Sequence, residues 1–221
     1  MKLEEKLITI DGPSASGKGL ASRNVALDLG FRLLDSGLLY RAYGYLFTRY
    51  DSHDQAIDAF NKLEFYYLEN KETLIKENNI DITASLRTQE IANKASIISS
   101  DPVTRENLLS IQRSFISEEG LVADGRDMGS VVFPNAKTKI FLTASIEERA
   151  QRRFLELQNK GQEVNMRDLI AEIEQRDLSD TNRSISPLVQ PADAEVIDTT
   201  LLKPKEVVDK ILSIYRSNQS S

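Results

Sequence analysis

The sequence predicts an α/β fold in which two layers of helices cover a central, mostly parallel sheet of five strands. Short apolar runs predict the strands, which lie at Leu7–Ile10, Phe31–Leu34, Leu121–Ala123, Thr138–Leu142 and Glu195–Ile197. Longer stretches with helical periodicity separate the runs, and strands that alternate with helices usually pair in parallel. Polar or charged residues follow the first four runs, and ligands of parallel sheets bind at that edge.

The segment after the first strand has the composition of a phosphate-binding loop. Its residues are Gly12, Pro13, Ser14, Ala15, Ser16, Gly17, Lys18, Gly19 and Leu20. Small residues let the backbone N–H groups approach a phosphate, while Lys18 and the N-terminus of a predicted helix at Leu20–Leu29 add positive charge. The alternative is a glycine turn that merely opens a helix. The strand before the loop and the helix after it favour phosphate binding.

One residue of the general phosphate-loop pattern is missing. The pattern has Ser or Thr directly after the lysine, where the hydroxyl holds magnesium. This chain has Gly19 and then Leu20. The sequence therefore predicts the phosphate cradle but leaves the metal ligands unknown.

Residues 56–82 are predicted to be an insertion with a small antiparallel unit. Leu63–Leu68 has the aromatic character of a strand, Asn78 and Asn79 indicate a turn, and Ile80–Ile82 is a short alternating strand.

Further helices are predicted from periodicity, caps and helix breakers. They lie at 88–116 with a new start at Pro102, from Ser145 to near Gly161, from Asn165 to before Pro187, and at Lys205–Tyr215, followed by a frayed tail at Ser217–Ser221.

Composition excludes several classes of function. The 221 residues carry a net charge of −6, which argues against wide contact with nucleic acid. The absence of cysteine excludes disulfides, thiolate catalysis and cysteine-based zinc sites. The single histidine, His53, lies in a polar stretch and is expected at the surface. No signal peptide or membrane-spanning run is recognised, so we expect a cytoplasmic monomer with no membrane partner.

Two clusters of arginine are predicted to lie on helix faces. Arg149, Arg152 and Arg153 follow the fourth strand, and either form a solvated face with Glu148 and Glu156 or serve a functional site.

The second cluster contains Arg176, Asp180 and Arg183, whose spacing places them on one face of a continuous helix. This cluster is either a surface row of ion pairs or a clamp for a phosphate and a sugar hydroxyl, because guanidinium groups bind oxyanions through two parallel hydrogen bonds.

The loop Gly125–Gly129 follows the third strand and holds Arg126 and Asp127 between its glycines. An ion pair within a loop is one interpretation. The position at the ligand-binding edge favours a functional one, in which Arg126 binds phosphate and Asp127 accepts a hydrogen bond from an exocyclic amine, as carboxylates do with cytosine N4.

Together these motifs resemble the bacterial cytidylate kinases, a group of nucleoside monophosphate kinases. The resemblance extends from about Leu7 to Thr200 and rests on Ile8–Ser14, Leu34–Gly37 with Tyr40 and Arg41, Arg87–Glu90, Ala123–Gly129, Val132–Pro134, Arg176 with Asp177, and Asn182 with Arg183.

The resemblance implies a P-loop NTPase-like, three-layer fold within one kinase domain, 1–221. The expected core comprises 1–40, 117–148 and 184–221, with a monophosphate-binding insertion at 41–116 and a helical lid at 149–183.

It also implies the site residues. ATP is expected at 12–20, with Mg²⁺ as cofactor, and the implied CMP contacts are Ser36, Arg41, Ser96, Arg105, Arg126, Asp127, Arg176, Asp180 and Arg183. Lys18, Arg153 and Arg176 are expected to be catalytic, with Arg153 and Arg152 near the transferring phosphoryl group.

Two residues depart from the family pattern. Ala15 stands where the family usually has Gly, so its backbone must avoid a strongly positive φ or bear strain. Leu20 stands where the family has Thr or Ser, which leaves magnesium to be held through water and nucleotide oxygens or weakens activity.

The predicted reaction is phosphoryl transfer from ATP to CMP or dCMP, which needs no histidine or cysteine because the acceptor phosphate is already anionic. Two alternatives remain: a kinase for another monophosphate on the same fold, or a nucleotide-binding regulator with weakened catalysis. A purely structural protein would leave the Arg and Asp residues at the sheet edge unexplained.

Overall fold

The computed structural model describes residues 3–159 and 161–220, and it contains a large and a small β-sheet. In chain order the strands are β1 (Leu7–Asp11), β2 (Arg32–Asp35), β3 (Glu64–Tyr67), β4 (Thr73–Glu77), β5 (Ile80–Asp81), β6 (Leu121–Asp124), β7 (Thr138–Thr143) and β8 (Glu195–Asp198). The large sheet has the order β2-β6-β1-β7-β8, and its pairings are all parallel. The predicted α/β class is therefore confirmed, with the sheet parallel throughout.

The helices cover both faces of this sheet. They are α1 (Lys18–Leu29), α2 (Ser36–Tyr50), α3 (His53–Phe60), α4 (Thr83–Leu86), α5 (Gln89–Ile98), α6 (Pro102–Arg113), α7 (Ile146–Asn159), α8 (Met166–Thr181) and α9 (Pro204–Gln219), with a short 3-10 helix at Leu3–Lys6 and a π-helical turn at Met128–Val132. No helix in the described part of the chain is long and apolar enough to span a bilayer.

Alternation along the strands divides the core into two clusters. Leu7 and Leu121 face a cluster built around α2, while their neighbours Ile8 and Val122 face a cluster built around α1 and α9. Adjacent strand residues point to opposite faces, so a strand buried on both faces is apolar without alternation. This explains why the central strands β1, β6 and β7 were recognisable as mainly apolar runs.

The strands of the large sheet each extend one residue beyond their predicted carboxyl end. The added residues are Asp11, Asp35, Asp124, Thr143 and Asp198. Register places Asp35 directly opposite Asp124 and places Ile10 opposite Asp124 on the other side. Acidic side chains are thus concentrated at the edge of the sheet where the phosphate-binding loop begins.

The small sheet, with the order β3-β4-β5, is the predicted antiparallel unit. The predicted turn is confirmed, because Asn78 and Asn79 adopt φ values of 50° and 66° and Glu77 pairs with Ile80. The central strand β4 was not predicted.

The lid helices α7 and α8 pack against each other, and their ends agree with the predicted caps. The Glu148 N–H donates to Ser145 Oγ over 3.2 Å, Gly161 adopts a φ of 73°, and Asn165 caps α8. The predicted start of α6 at Pro102 is also confirmed, with Asp101 as its cap.

One expectation about surface residues is wrong, and a second, for His53, is confirmed only in part. α9 continues to Gln219, and Asn218 Nδ2 donates to the Lys137 carbonyl over 3.2 Å, so the predicted frayed tail is ordered helix up to that point. Ser221 lies outside the described residues. The His53 side chain is only 29% exposed, because its ring packs against Phe47 and its Nδ1 lies 3.1 Å from the Tyr43 hydroxyl.

The proposed domain boundaries at 41 and 149 fall inside helices, since Arg41 belongs to α2 and Arg149 to α7. The division into core, insertion and lid therefore stays a prediction about function.

Candidate active site

A cavity of about 930 Å³ opens at the carboxyl ends of the parallel strands. Its walls come from the phosphate-binding loop, α2, α5, the loop after β6 and the lid helices. The predicted site residues in its lining are Ser14, Ala15, Ser16, Gly17, Lys18, Gly19, Leu20, Ser36, Arg41, Ser96, Arg105, Arg126, Asp127, Arg153, Arg176, Asp180 and Arg183. Gly12 and Pro13 lie behind this surface, in the turn that starts the loop.

The turn at Gly12 is fixed by close packing. Gly12 has a φ of 145°, and a Cβ there would lie 2.0 Å from the Leu142 carbonyl oxygen. Neither the conformation nor the space admits another residue. The glycine therefore lets β1 turn directly into the loop while it touches β7.

The side chain of Lys18 folds back against the phosphate-binding loop. It is buried, and Nζ donates to the Pro13 carbonyl over 2.6 Å. Burial, followed by the charge of Arg126, lowers the pKa of Lys18 to about 7. An anion bound in the loop would offset both effects, so this lysine is suited to bind phosphate.

The backbone of Ala15 is strained, which is one of the two alternatives that the sequence left open for this residue. Its φ of 57° lies in the left-handed region, which costs a residue with a Cβ about 1 kcal/mol relative to glycine. The loop keeps the conformation that suits glycine although the residue is alanine.

Leu20 lies in the first turn of α1, and 43% of it is exposed at the cavity. An apolar side chain therefore occupies the place where the family pattern has a hydroxyl.

The nearest acidic group to this turn is Asp124, at the end of β6. A Cβ on Gly19 would lie 3.5 Å from Asp124 Oδ2. Burial raises the pKa of Asp124 to about 7, opposed by Lys18 and reinforced by Asp35. Carboxylates crowded in this way favour a nearby cation. The sequence placed Asp124 at the sheet edge without assigning it a role, and its position at the end of a buried strand was the available signal.

No group of three or more His, Asp or Glu residues within 3–159 and 161–220 is arranged to hold a metal ion. Magnesium tolerates a shell composed mainly of water and phosphate oxygens, with one or two carboxylates. Asp124 fits such a shell, and the missing hydroxyl at Leu20 does not prevent it.

Asp11 fixes the loop after β6. Its carboxylate accepts hydrogen bonds from the N–H groups of Met128 and Gly129 over 2.8 and 2.7 Å, and burial raises its pKa to about 6. A Cβ on Gly129 would lie 2.8 Å from Thr9 Oγ1, so only glycine fits this close approach. These contacts hold the preceding residues Arg126 and Asp127 at the cavity.

Three ion pairs form another wall of the cavity. Arg105 pairs with Asp127, which is 2% exposed, and also donates to the Ser99 carbonyl over 3.0 Å. Asp180, 1% exposed, pairs with Arg183 and accepts from Arg126 Nε over 2.8 Å. A surface row of ion pairs is therefore wrong for Asp180 and Arg183, and an ion pair within the loop is wrong for Arg126 and Asp127, which each pair with another residue.

Three further residues predicted to contact CMP lie in the same cavity lining. Ser36 Oγ accepts from Gln112 Nε2 over 2.8 Å, Arg41 donates to the Leu86 carbonyl over 3.1 Å, and Ser96 lines the cavity from α5. Sequence reasoning missed Gln112. It also missed Tyr40 as a contact, although its ring centroid lies 5.8 Å from the Arg105 guanidinium.

The three arginines of α7 have different environments. Arg149 is buried, where Nη1 lies 2.6 Å from Asp177 Oδ2, so a solvated face is wrong for this residue. Arg152 Nη1 donates to Thr199 Oγ1 over 3.0 Å, and a Cβ on Gly17 would lie 3.5 Å from that nitrogen. Arg152 therefore lies close to the phosphate-binding loop.

Arg153 is directed toward the insertion instead. Its Nη1 pairs with Glu156 over 2.8 Å, and its Nη2 donates to Gln89 Oε1 over 2.7 Å.

Arg176 lacks a bonded partner within the part of the chain that the structure describes. Its Nε is buried without a hydrogen bond, and burial, followed by the nearby charge of Arg126, lowers its pKa to about 10. A buried guanidinium nitrogen without a hydrogen-bond acceptor is costly, and an anion in the cavity would relieve that cost.

Comparisons with known proteins agree with this geometry. The family model for cytidylate kinase matches residues 8–217. A cytidylate kinase of Burkholderia multivorans is 44% identical over 212 residues, covering 96% of this chain and 93% of that protein. One from a Marinomonas species is 46% identical over 214 residues, covering 94% of each chain. The resemblance seen in the sequence is confirmed, and the chain belongs to the cytidylate kinase family.

Proposed function

We propose that the protein transfers the terminal phosphoryl group of ATP to CMP and dCMP, forming ADP with CDP or dCDP. The observation that carries the proposal is a shared cavity. The phosphate-binding loop forms one wall, and the buried Arg105–Asp127 pair forms another. Arg176, which has no hydrogen-bonded partner among the residues described, lies in the same lining. Two phosphate-bearing ligands that meet there would place their negative charge among these cations.

The donor side consists of the loop and Lys18. Backbone N–H groups of residues 14–20 surround the donor phosphates, and Lys18 exchanges its hydrogen bond with the Pro13 carbonyl for one with a phosphate oxygen. This exchange satisfies the buried ammonium group with a full negative charge.

The acceptor side consists of the buried polar wall. Arg41 and Arg126 bind the phosphate of CMP, while Asp127, Arg105 and Ser96 recognise cytosine. Carboxylates accept from the cytosine N4 amine, and uracil has a carbonyl oxygen at that position, which Asp127 would repel. Burial raises the pKa of Asp127, and the charge of the paired Arg105 opposes that rise and so favours the ionised carboxylate in the cavity lining.

The sugar and the lid are held together. Asp180 and Arg176 bind the sugar hydroxyls, and Arg183 and Ser36 complete the set of CMP contacts. Asp180 belongs to α8 and also binds Arg126 and Arg183. A ligand that contacts Asp180 therefore engages α8 at the same time.

Catalysis follows from positioning and charge neutralisation. The nucleophile is an anionic oxygen of the acceptor phosphate, so no general base is required. Lys18, Arg153 and Arg176 surround the transferring group, with Arg152 near the loop. Closure of α7 and α8 excludes water, which would otherwise compete as acceptor.

Mg²⁺ is the proposed cofactor and would neutralise phosphate charge and orient the donor. Asp124 is the side chain expected to approach it, through water, while Leu20 contributes no ligand.

We also propose that the protein acts as a cytoplasmic monomer without nucleic-acid or membrane partners. Sedimentation equilibrium with and without nucleotides tests the monomer, and a dimer would contradict it.

An acceptor panel tests the proposed function. The purified protein is incubated with ATP, Mg²⁺ and one of CMP, dCMP, UMP, AMP or dTMP, and the products are separated by anion exchange. We expect CDP and dCDP as the main products. Preference for another acceptor supports the alternative kinase, while tight CMP binding without turnover supports the regulator.

A further inference from the structure

Gln89 connects the lid to the insertion. It is the first residue of α5, and its side-chain amide reaches both lid helices. Its Oε1 accepts from Arg153 Nη2 of α7 over 2.7 Å, and its Nε2 donates to Glu172 Oε1 of α8 over 2.5 Å. A third contact, from Nε2 to Asn93 Oδ1 over 3.0 Å, holds the amide on its own helix.

A neutral amide matches these two partners in a way that a charged side chain does not. Its carbonyl oxygen faces a cation, and its NH₂ group faces a carboxylate. The reversed amide would set donor against donor and acceptor against acceptor, so the partners define the orientation. A carboxylate here would repel Glu172, and an ammonium group would repel Arg153.

The contact also has a consequence for Arg153. Its guanidinium is held from two sides, by Glu156 within α7 and by Gln89 across the cavity. A long side chain fixed in this way loses its rotamer freedom before substrates bind. The bonds to Gln89 and Glu172 therefore join α5, α7 and α8 at one point.

We propose that Gln89 is a positioning residue that couples lid closure to the monophosphate-binding insertion and directs Arg153 toward the transferring phosphoryl group. This inference rests on the proposed phosphotransfer function. When α5 moves with the bound monophosphate, Gln89 carries the lid with it, so the site excludes water only when the acceptor is present.

The test compares the wild-type protein with Q89A, Q89E, E172Q and the double variant Q89E/E172Q. E90Q is the matched control, because Glu90 is the next residue on α5 and pairs with Lys94 instead of the lid. Initial rates of CDP formation give kcat and the KM values for ATP and CMP. The rate of inorganic phosphate formation gives the leak, which is the transfer of the phosphoryl group to water instead of CMP. Hydrogen exchange of α7 and α8 reports lid opening without any need for activity.

Loss of a hydrogen bond to a charged group predicts that Q89A lowers kcat by about tenfold. The phosphate released per CDP formed should rise, KM for CMP should change less than kcat, and exchange in α7 and α8 should increase. Q89E should be at least as impaired as Q89A, and Q89E/E172Q should recover most of kcat because a carboxylate then accepts from both Arg153 and the new amide.

Unchanged kcat in Q89A, with an unchanged leak, would overturn the proposal, since the contact would then not position Arg153 for transfer. Increased kcat would overturn it too, since the contact would then restrain Arg153 in an inactive position. A double variant no better than Q89E would overturn it as well. The two hypotheses fail separately: a wild-type protein without CMP phosphorylation refutes the proposed function, while unchanged lid exchange in Q89A refutes the coupling.

Discussion

Removal of the Asp127 carboxylate tests the recognition of cytosine. Asp127 is 2% exposed and pairs with an Arg105 side chain that is 9% exposed. In Asp127→Ala the guanidinium of Arg105 stays buried without its counter-ion. Breaking a buried pair from one side costs about 3–5 kcal/mol of folding free energy. Asp127→Asn keeps an oxygen near Arg105 and should cost less.

The same change should alter base selectivity. A carboxylate that accepts from the cytosine amine contributes about 1.5–3 kcal/mol, which corresponds to roughly 10- to 150-fold in kcat/KM. Asp127→Asn is therefore expected to lower kcat/KM for CMP by that factor. Its kcat/KM for UMP should stay constant or rise, because the asparagine NH₂ can donate to the uracil oxygen.

The assay measures kcat/KM for CMP and UMP at saturating ATP, together with urea unfolding of each variant. Asp127→Glu, which keeps the charge at a different reach, separates loss of charge from loss of position. A CMP to UMP ratio that stays at the wild-type value in folded Asp127→Asn would refute the assignment of Asp127 to the base.

Three other predictions concern the phosphate loop and the lid. Arg153→Ala should reduce turnover by about 10³-fold if this arginine contacts the transferring group, and a loss of only a few-fold in steady-state rates would remove that role. Ala15→Gly should raise the free energy of unfolding by about 0.5 kcal/mol, because relief of the positive φ outweighs the added chain entropy, and urea denaturation at equal m-value checks it. Lys18, whose pKa is lowered to about 7, is largely neutral in the free protein at pH 8 and becomes charged beside a triphosphate. Calorimetry in two buffers should therefore show proton uptake on ATP binding at pH 8 and less uptake at pH 6. Equal proton uptake at both pH values would contradict this prediction.

Much of the fold was accessible from the sequence because the three central strands of the large sheet, β6, β1 and β7, are buried on both faces. Leu121–Ala123 is apolar without interruption, Leu7–Ile10 is interrupted only by Thr9, and Gly30 marks the end of α1 with a φ of 69°. β4 escaped prediction because Thr73–Glu77 mixes charged and apolar residues and forms the centre of a small, half-exposed sheet. The C-terminal helix was predicted too short because its last turn is stabilised by contacts to Lys137, which periodicity does not encode.

The candidate site was predictable where chemistry is local in sequence. The phosphate-binding loop and the Arg126–Asp127 loop are each recognisable in the sequence by their neighbouring glycines. The role of Gln89 has no such local signal, because its partner Glu172 is 83 positions away and contacts it only in the folded chain. The burial of Arg149 was equally invisible, since its spacing also suits an exposed helix face.

The most direct test of the central claim is transfer of label from [γ-³²P]ATP to CMP by the purified protein with Mg²⁺. The account predicts that the label appears in the β-phosphate of CDP, with one ADP formed for each CDP and little free phosphate. Label that appears only as inorganic phosphate, or remains in ATP while CMP binds tightly, would contradict it.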